Sequence, residues 1–222
     1  MTQREHAECP YFLHSSIKLY TMVQQLHMPR IDAPEAIDPT YNGNMRMICT
    51  RDPFICTYLS PLDAVMGSRA LTRNDGHFWP IDFRQVDTRH FIDQQGRLSV
   101  AVNYAYAATE GRLVVSDAGH PLMVYFVSFF DVPLDQRDHF TIQFPDDVVE
   151  RIEIAYQRAG LSGFGATLDA MRKWTAEQIA DADAEAEALT CKPPTIAITG
   201  AEVDQYAIYD PESGEWVVTD FD

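Results

Sequence analysis

Between Phe78 and Val132 apolar residues come in short dense runs, with no helical spacing. "FWPIDFRQV", "RHFIDQQGRLSVAVNYAYAA", "RLVVSD" and "PLMVYFVSFFDV" are rich in β-branched and aromatic residues, and Gly96 and Gly119 punctuate them. This stretch reads as successive strands. Upstream, Tyr11 to His14 and "MRMICT" are further strand candidates, separated by a loop from Met28 to Asn44 that holds Pro29, Pro34, Pro39 and Gly43. Asp52-Pro53 reads as a helix N-cap with proline at the first helical position. Pro61 then interrupts that helix, and Leu62 to Ser68 adds another turn or two.

The pattern changes at Pro145. "DDVVERIEIAYQRAG" has apolar residues at helical spacing, an acidic start and Gly160 as a stop. "SGFGATLDAMRKWTAEQIADADAEAEALT" reads as a second helix whose Ala/Asp/Glu tail is solvated. "GLSGFG" follows a helix, so it is a linker between helices and no dinucleotide fingerprint. "TIAITG" returns to strand. The chain closes on "VDQYAIYDPESGEWVV", a hairpin with strands at Gln205–Tyr209 and Glu215–Val218 around Asp210-Pro211 and Ser213-Gly214. Tyr206 and Tyr209 have opposite parity, so one of them is expected to point outward or sit at a bulge. The order predicts an α+β fold with a mostly antiparallel sheet, one domain over 1–222, and a helical insert at 145–189 lying outside the sheet.

Charge narrows the partners. The 222 residues carry Lys+Arg 17 against Asp+Glu 33, a net charge of −16. The cations are scattered and form no stripe, which argues against a nucleic-acid target. Solubility alone, a basic protein partner, or mimicry of nucleic acid all fit such acidity. The four cysteines, Cys9, Cys49, Cys56 and Cys191, form no CxxC pair and are expected as reduced thiols. His77, His90, His120 and His139 are isolated, with no HxH or HExxH, so no metal site is expected. No GxSxG motif or supported Cys/His pair suggests a hydrolase. "LMVYFVSFF" is too short to span a bilayer, and the polar start to Cys9 is no signal peptide. A cytoplasmic protein without membrane contact is expected.

Three stretches taken together resemble the ADP-ribosyltransferase fold, in the branch that includes the poly(ADP-ribose) polymerases. They are "FLHSS" at Phe12–Ser16, "RMICTRDPFICTYLSPLDA" at Arg46–Ala64, and "DQYAIYDPES" at Asp204–Ser213. The resemblance covers about a quarter of the chain and implies a split, mostly antiparallel sheet in which the strands at Phe12, Ile48 and Ala207 are neighbours around an NAD cleft. It implies that His14 bonds the adenosine-side ribose and that the backbone at Ser15 grips the nicotinamide amide. Cys49 stands where the family has its first tyrosine, beside Thr50, and Tyr58 would stack on the nicotinamide ring. Gln205 occupies the place of the catalytic acid, where it would hold the ribose hydroxyl without supplying negative charge. The reaction implied is scission of the bond between ribose and nicotinamide through a transition state like an oxocarbenium ion, as in glycoside cleavage. NAD would be the substrate.

Two function classes follow. One is a mono-ADP-ribosyltransferase acting on a protein or small molecule, such as a bacterial or phage effector or toxin. The other is a non-catalytic acidic interaction protein that keeps the fold, such as an immunity protein or a phage-encoded inhibitor of host defence.

Overall fold

A computed structural model describes residues 14–15, 17–27, 44–48, 50–51, 54–69, 77–83, 86, 91–116, 120–136, 140–171, 173–175, 177–178, 180–181, 184, 195–197 and 203–221. The fold is α+β, built on a mixed, mostly antiparallel sheet that joins eleven described strands. The strands are β1 (His14–Ser15), β2 (Tyr20–His27), β3 (Asn44–Ile48), β4 (Thr50–Arg51), β5 (Phe54–Tyr58), β6 (His77–Asp82), β7 (Arg97–Thr109), β8 (Arg112–Val115), β9 (Met123–Asp131), β10 (Thr141–Ile142), β11 (Thr195–Ala197), β12 (Gln205–Asp210) and β13 (Glu215–Asp220). The helices α1 (Pro61–Arg69), α2 (Asp146–Arg158) and α3 (Phe164–Met171) complete the described elements.

β7 is the hub. Apart from Arg97 and Tyr104 it is buried along its whole length, with apolar or small residues facing both sides. A strand buried on both faces must have its backbone groups paired along both edges. On one edge β9 pairs antiparallel with Arg97–Tyr106, and β8 follows at Ala108–Thr109. The other edge carries two strands in succession. β5 runs parallel opposite Val100–Asn103, and β12 runs antiparallel opposite Tyr106–Ala108. Between them the register with β9 shifts at Asn103/Ala105. The extra residue there flips the facing of the strand.

Each face of the sheet has its own helical cover. Leu98, Val100, Val102, Ile55, Tyr206 and Ile208 pack with Ile152, Tyr156 and Leu168 of α2 and α3. On the opposite face Leu62 and Met66 of α1 meet Tyr106, Ala207 and Tyr209, and Ala64 meets Tyr20, Met22 and Tyr58. Tyr206 and Tyr209 are therefore both buried, each 3% exposed. The expectation that one points outward fails because β12 is covered on both sides.

The helix expected from Asp52-Pro53 is also corrected. Residues 52 and 53 lie outside the described residues, but Phe54–Tyr58 is a strand. The helix begins at Pro61, with Ser60 as its cap. Asp63 N–H donates to Ser60 Oγ at 3.0 Å. α2 begins at Asp146 as expected and ends at Arg158, with Gly160 just past its C-cap Ala159. Gly160, at φ 76°, and Leu161 donate back to Gln157 and Tyr156, closing the helix with a Schellman pair. The second helix of the insert is shorter than its sequence pattern suggests. α3 ends at Met171, and Thr175 and Gln178 exchange reciprocal bonds at 2.9 and 3.2 Å. That exchange is a capping box, and it opens a new helical segment. The final hairpin forms as expected, with Gly214 at φ 71°. The pair α2 and α3 precedes the last strands and lies outside the sheet, packed on one of its faces.

The strands at His14, Ile48 and Ala207 are not neighbours. β1 pairs with β10 in a separate two-stranded sheet, β3 pairs with β2, and β12 lies between β7 and β13. Hydrogen-bonded pairing across 106–108 of β7 fixes β12 far from β3.

Two glycines test the packing. A Cβ at Gly67 would lie 2.5 Å from the ring and hydroxyl of Tyr58, which is 3% exposed. Gly67→Ala is expected to cost about 1–3 kcal/mol by overpacking. Gly165, on the exposed side of α3, has nothing within 4 Å of such a Cβ. Gly165→Ala is expected to gain about 0.5–1 kcal/mol from helix propensity. Urea denaturation of the two variants checks both signs. A neutral Gly67→Ala would mean that Tyr58 has room to move.

Candidate functional site

The residues singled out in the sequence are dispersed. His14 and Ser15 lie in β1, opposite Thr141 and Ile142, outside the main sheet. Cys49 lies outside the described residues. Thr50 belongs to the short strand β4 and pairs with Ile55. Tyr58 ends β5, paired with Tyr20 and Asn103, and its ring rests against Gly67.

Gln205 begins β12 opposite Ala108. Ala108 and Asn103, the partners of Gln205 and Tyr58, are about 17 Å apart along β7 at the usual strand rise. That is more than the separation of the ring and the ribose in one nicotinamide riboside. Both ends of the Gln205 amide are engaged. Its Oε1 accepts the Gly111 N–H at 2.6 Å, and its Nε2 donates to Asp220 Oδ1 at 2.7 Å. The side chain thus ties the β7–β8 turn to the end of β13. The turn is a two-residue hairpin connection with positive φ at both Glu110 and Gly111, 51° and 70°, and Glu110 is its one non-glycine residue in that region.

The chemistry that the fold does gather lies where β5 and β12 part. The carboxylate of Asp63, in the first turn of α1, accepts the Ser60 hydroxyl at 2.6 Å and the Tyr106 hydroxyl at 3.1 Å. Met66 Sδ lies 3.7 Å from the same phenol. Trp216 of β13 stands edge-on to Tyr106 and Tyr209, with ring centroids 4.8 and 5.5 Å apart. Its buried Nε1 has no hydrogen-bond partner among the described residues. Burial raises the Asp63 pKa, partly offset by the bonds from Ser60 and Tyr106. Burial, and then the charge of Asp63, push the Tyr106 phenol well above its ordinary value, so it remains a donor.

Sequence reasoning missed this cluster. Ser60-Pro61-Leu62-Asp63 was its visible signal, a capping residue followed at the third position by an acid. The Ser60 hydroxyl is engaged twice, accepting from the Asp63 N–H and donating to the Asp63 carboxylate. Among the described residues no group of three or more His, Cys, Asp or Glu is placed to hold a metal ion. Among them, too, no helix is long and apolar enough to cross a membrane. Comparison with protein-family models, curated proteins and solved structures gives no match.

Two substitutions separate structure from chemistry here. Gln205→Ala is expected to lower stability by about 1 kcal/mol by untying Gly111 and Asp220. Gln205→Glu sets a carboxylate against Asp220, so its melting temperature should fall further at neutral pH. If Gln205→Glu is as stable as wild type at neutral pH, the amide clamp is not formed.

Asp63 gives a pH signature. A carboxyl whose folded pKa is raised contributes stability that is fully present below its unfolded value, near 3.8, and is lost as pH rises through the folded value. Asp63→Asn removes that dependence. In thermal unfolding from about pH 8 to about pH 3, the variant should gain on wild type toward neutral pH and lose ground toward acid. A gap that stays constant with pH would show that the Asp63 carboxyl is effectively hydrated.

Proposed function

We propose that this chain acts by binding a basic protein partner and not by turning over NAD. The observation that carries this reading is the double engagement of Gln205. The one residue standing at the place of a catalytic acid spends both its acceptor and its donor on holding a turn. The net charge of −16 supports a basic partner and disfavours nucleic acid, since phosphate and an acidic surface repel. Enclosure of the Tyr58 ring beneath α1 weighs the same way, because a stacking face must be open to its ligand. An immunity protein or an inhibitor of a defence system is the kind of molecule this describes.

The mono-ADP-ribosyltransferase reading, which rests on the three-part sequence resemblance, makes the opposite forecast. Purified protein incubated with excess NAD should release no nicotinamide above the uncatalysed rate, and neither should Gln205→Glu. NAD should leave the melting temperature unchanged, since only a ligand that binds the native state raises it. Release of nicotinamide by wild type, abolished in Gln205→Ala, would overturn the binding reading in favour of the transferase.

A further inference from the structure

α3 is a helix that its own sequence does not sustain alone. It has 8 residues, one of them Gly165, and an isolated helix shorter than about 12–15 residues is marginal in water. It also starts without a capping side chain. Gly163 stands at the N-cap, because its carbonyl accepts the Thr167 N–H at 3.1 Å, and it has no side chain to offer. The missing acceptor comes from α2. Glu153 Oε2 accepts the Phe164 N–H at 3.1 Å, while its Oε1 accepts Gln157 Nε2 at 2.8 Å. The carboxylate thus meets the positive end of the α3 dipole. Gly163, at φ 104°, lets it approach: a Cβ there would fall on the Glu153 carboxylate.

The two ends of α3 serve different cores. Phe164 and Leu168 belong to the core shared with α2, where Phe164 stands edge-on to Tyr156 with ring centroids 6.1 Å apart. Met171 belongs to the core under α1, together with Leu62, Met66, Tyr106 and Tyr209, and Trp174 and Trp216 pack at its margin. Among the described helices α3 alone contributes to the cores on both faces. α2 is pinned separately. Its Ile152, Ala155 and Tyr156 are buried, and the Ala155 carbonyl accepts the Tyr206 hydroxyl at 2.9 Å. Holding α2 in place therefore does not require α3, whereas the first turn of α3 does require a side chain of α2.

We propose that α3 is a strap between the two cores, latched at Glu153, which opens as a unit while α2 and the sheet stay folded. In the closed state the Glu153 carboxylate holds the first turn, and Met171 seats the other end. In the open state the chain turns away from Gly163 onward, and Met171 and Trp174 withdraw from the core under α1. Opening uncovers apolar surface that the closed fold hides, so a ligand that binds this surface shifts the population toward the open state. Local openings of this kind cost less than global unfolding and follow contiguous units of the fold. The strap is independent of whether the chain binds a partner or turns over NAD.

Native-state amide hydrogen exchange on the full chain reads such an opening. In wild type the amides of 167–171 should exchange together, faster than those of β7 and of 152–156 in α2. Glu153→Ala should speed exchange over 167–171 about tenfold and leave β7 unchanged. Glu153→Gln keeps an acceptor oxygen and should stay within about threefold of wild type. Met171→Ala loosens the opposite end without touching the carboxylate, so it should speed the same residues, and it keeps the test decisive if Glu153→Ala does not fold. Gly163→Ala should cost less where Glu153 is already alanine, because part of its penalty is overlap with that carboxylate. If 167–171 exchange no faster than β7 in wild type, α3 opens only with the whole fold and the strap is overturned. Acceleration spread equally over α2 and β7 in Glu153→Ala overturns it as well, and so does a glutamine variant as fast as the alanine one.

Discussion

The backbone of β7 must be paired on both sides, and most of the architecture follows from that demand. Eleven of its thirteen positions are buried, and an unpaired peptide group at such depth costs about 1–3 kcal/mol. β9 and β8 satisfy one edge, and β5 and β12 divide the other. Neither β5 nor β12 can cover that edge alone. β5 arrives parallel and must leave the sheet at Tyr58, while β12 arrives from the far end. α1 takes the chain out of β5, and its Leu62 and Met66 seal the face where the two strands part.

This arrangement explains why a carboxylate is tolerated inside. Asp63 sits in the first turn of α1, where unpaired N–H groups and the helix dipole favour negative charge. Ser60 and Tyr106 supply two hydroxyl donors. Removing either donor leaves an under-bonded charge, whereas removing the charge leaves only neutral hydroxyls. The asymmetry is that of any buried ion. Breaking its bonds costs more than forming them contributes. The cluster therefore specifies how α1 seats on the sheet more than it adds to stability, and its aromatic wall, Tyr106, Tyr209 and Trp216, holds the last hairpin to the same place.

Legibility in the sequence tracked the range of the interactions. The runs at Arg97–Thr109, Met123–Asp131 and Glu215–Asp220 declare strands by composition, and Asp146–Arg158 declares a helix by period, start and stop. Phe54–Tyr58 was read as helix because Asp52-Pro53 mimics a cap, and the parallel ladder with β7 that decides the matter is formed with residues more than forty positions away. Thr175 and Gln178 did carry a local signal, but the apolar periodicity running through Met171 and Trp174 concealed the break. Gln205 is the sharpest case. Its neighbours in the chain suggest an acid's place, but its hydrogen-bond partners are Gly111, 94 positions upstream, and Asp220, 15 positions downstream. No short motif records which distant groups a side chain will meet.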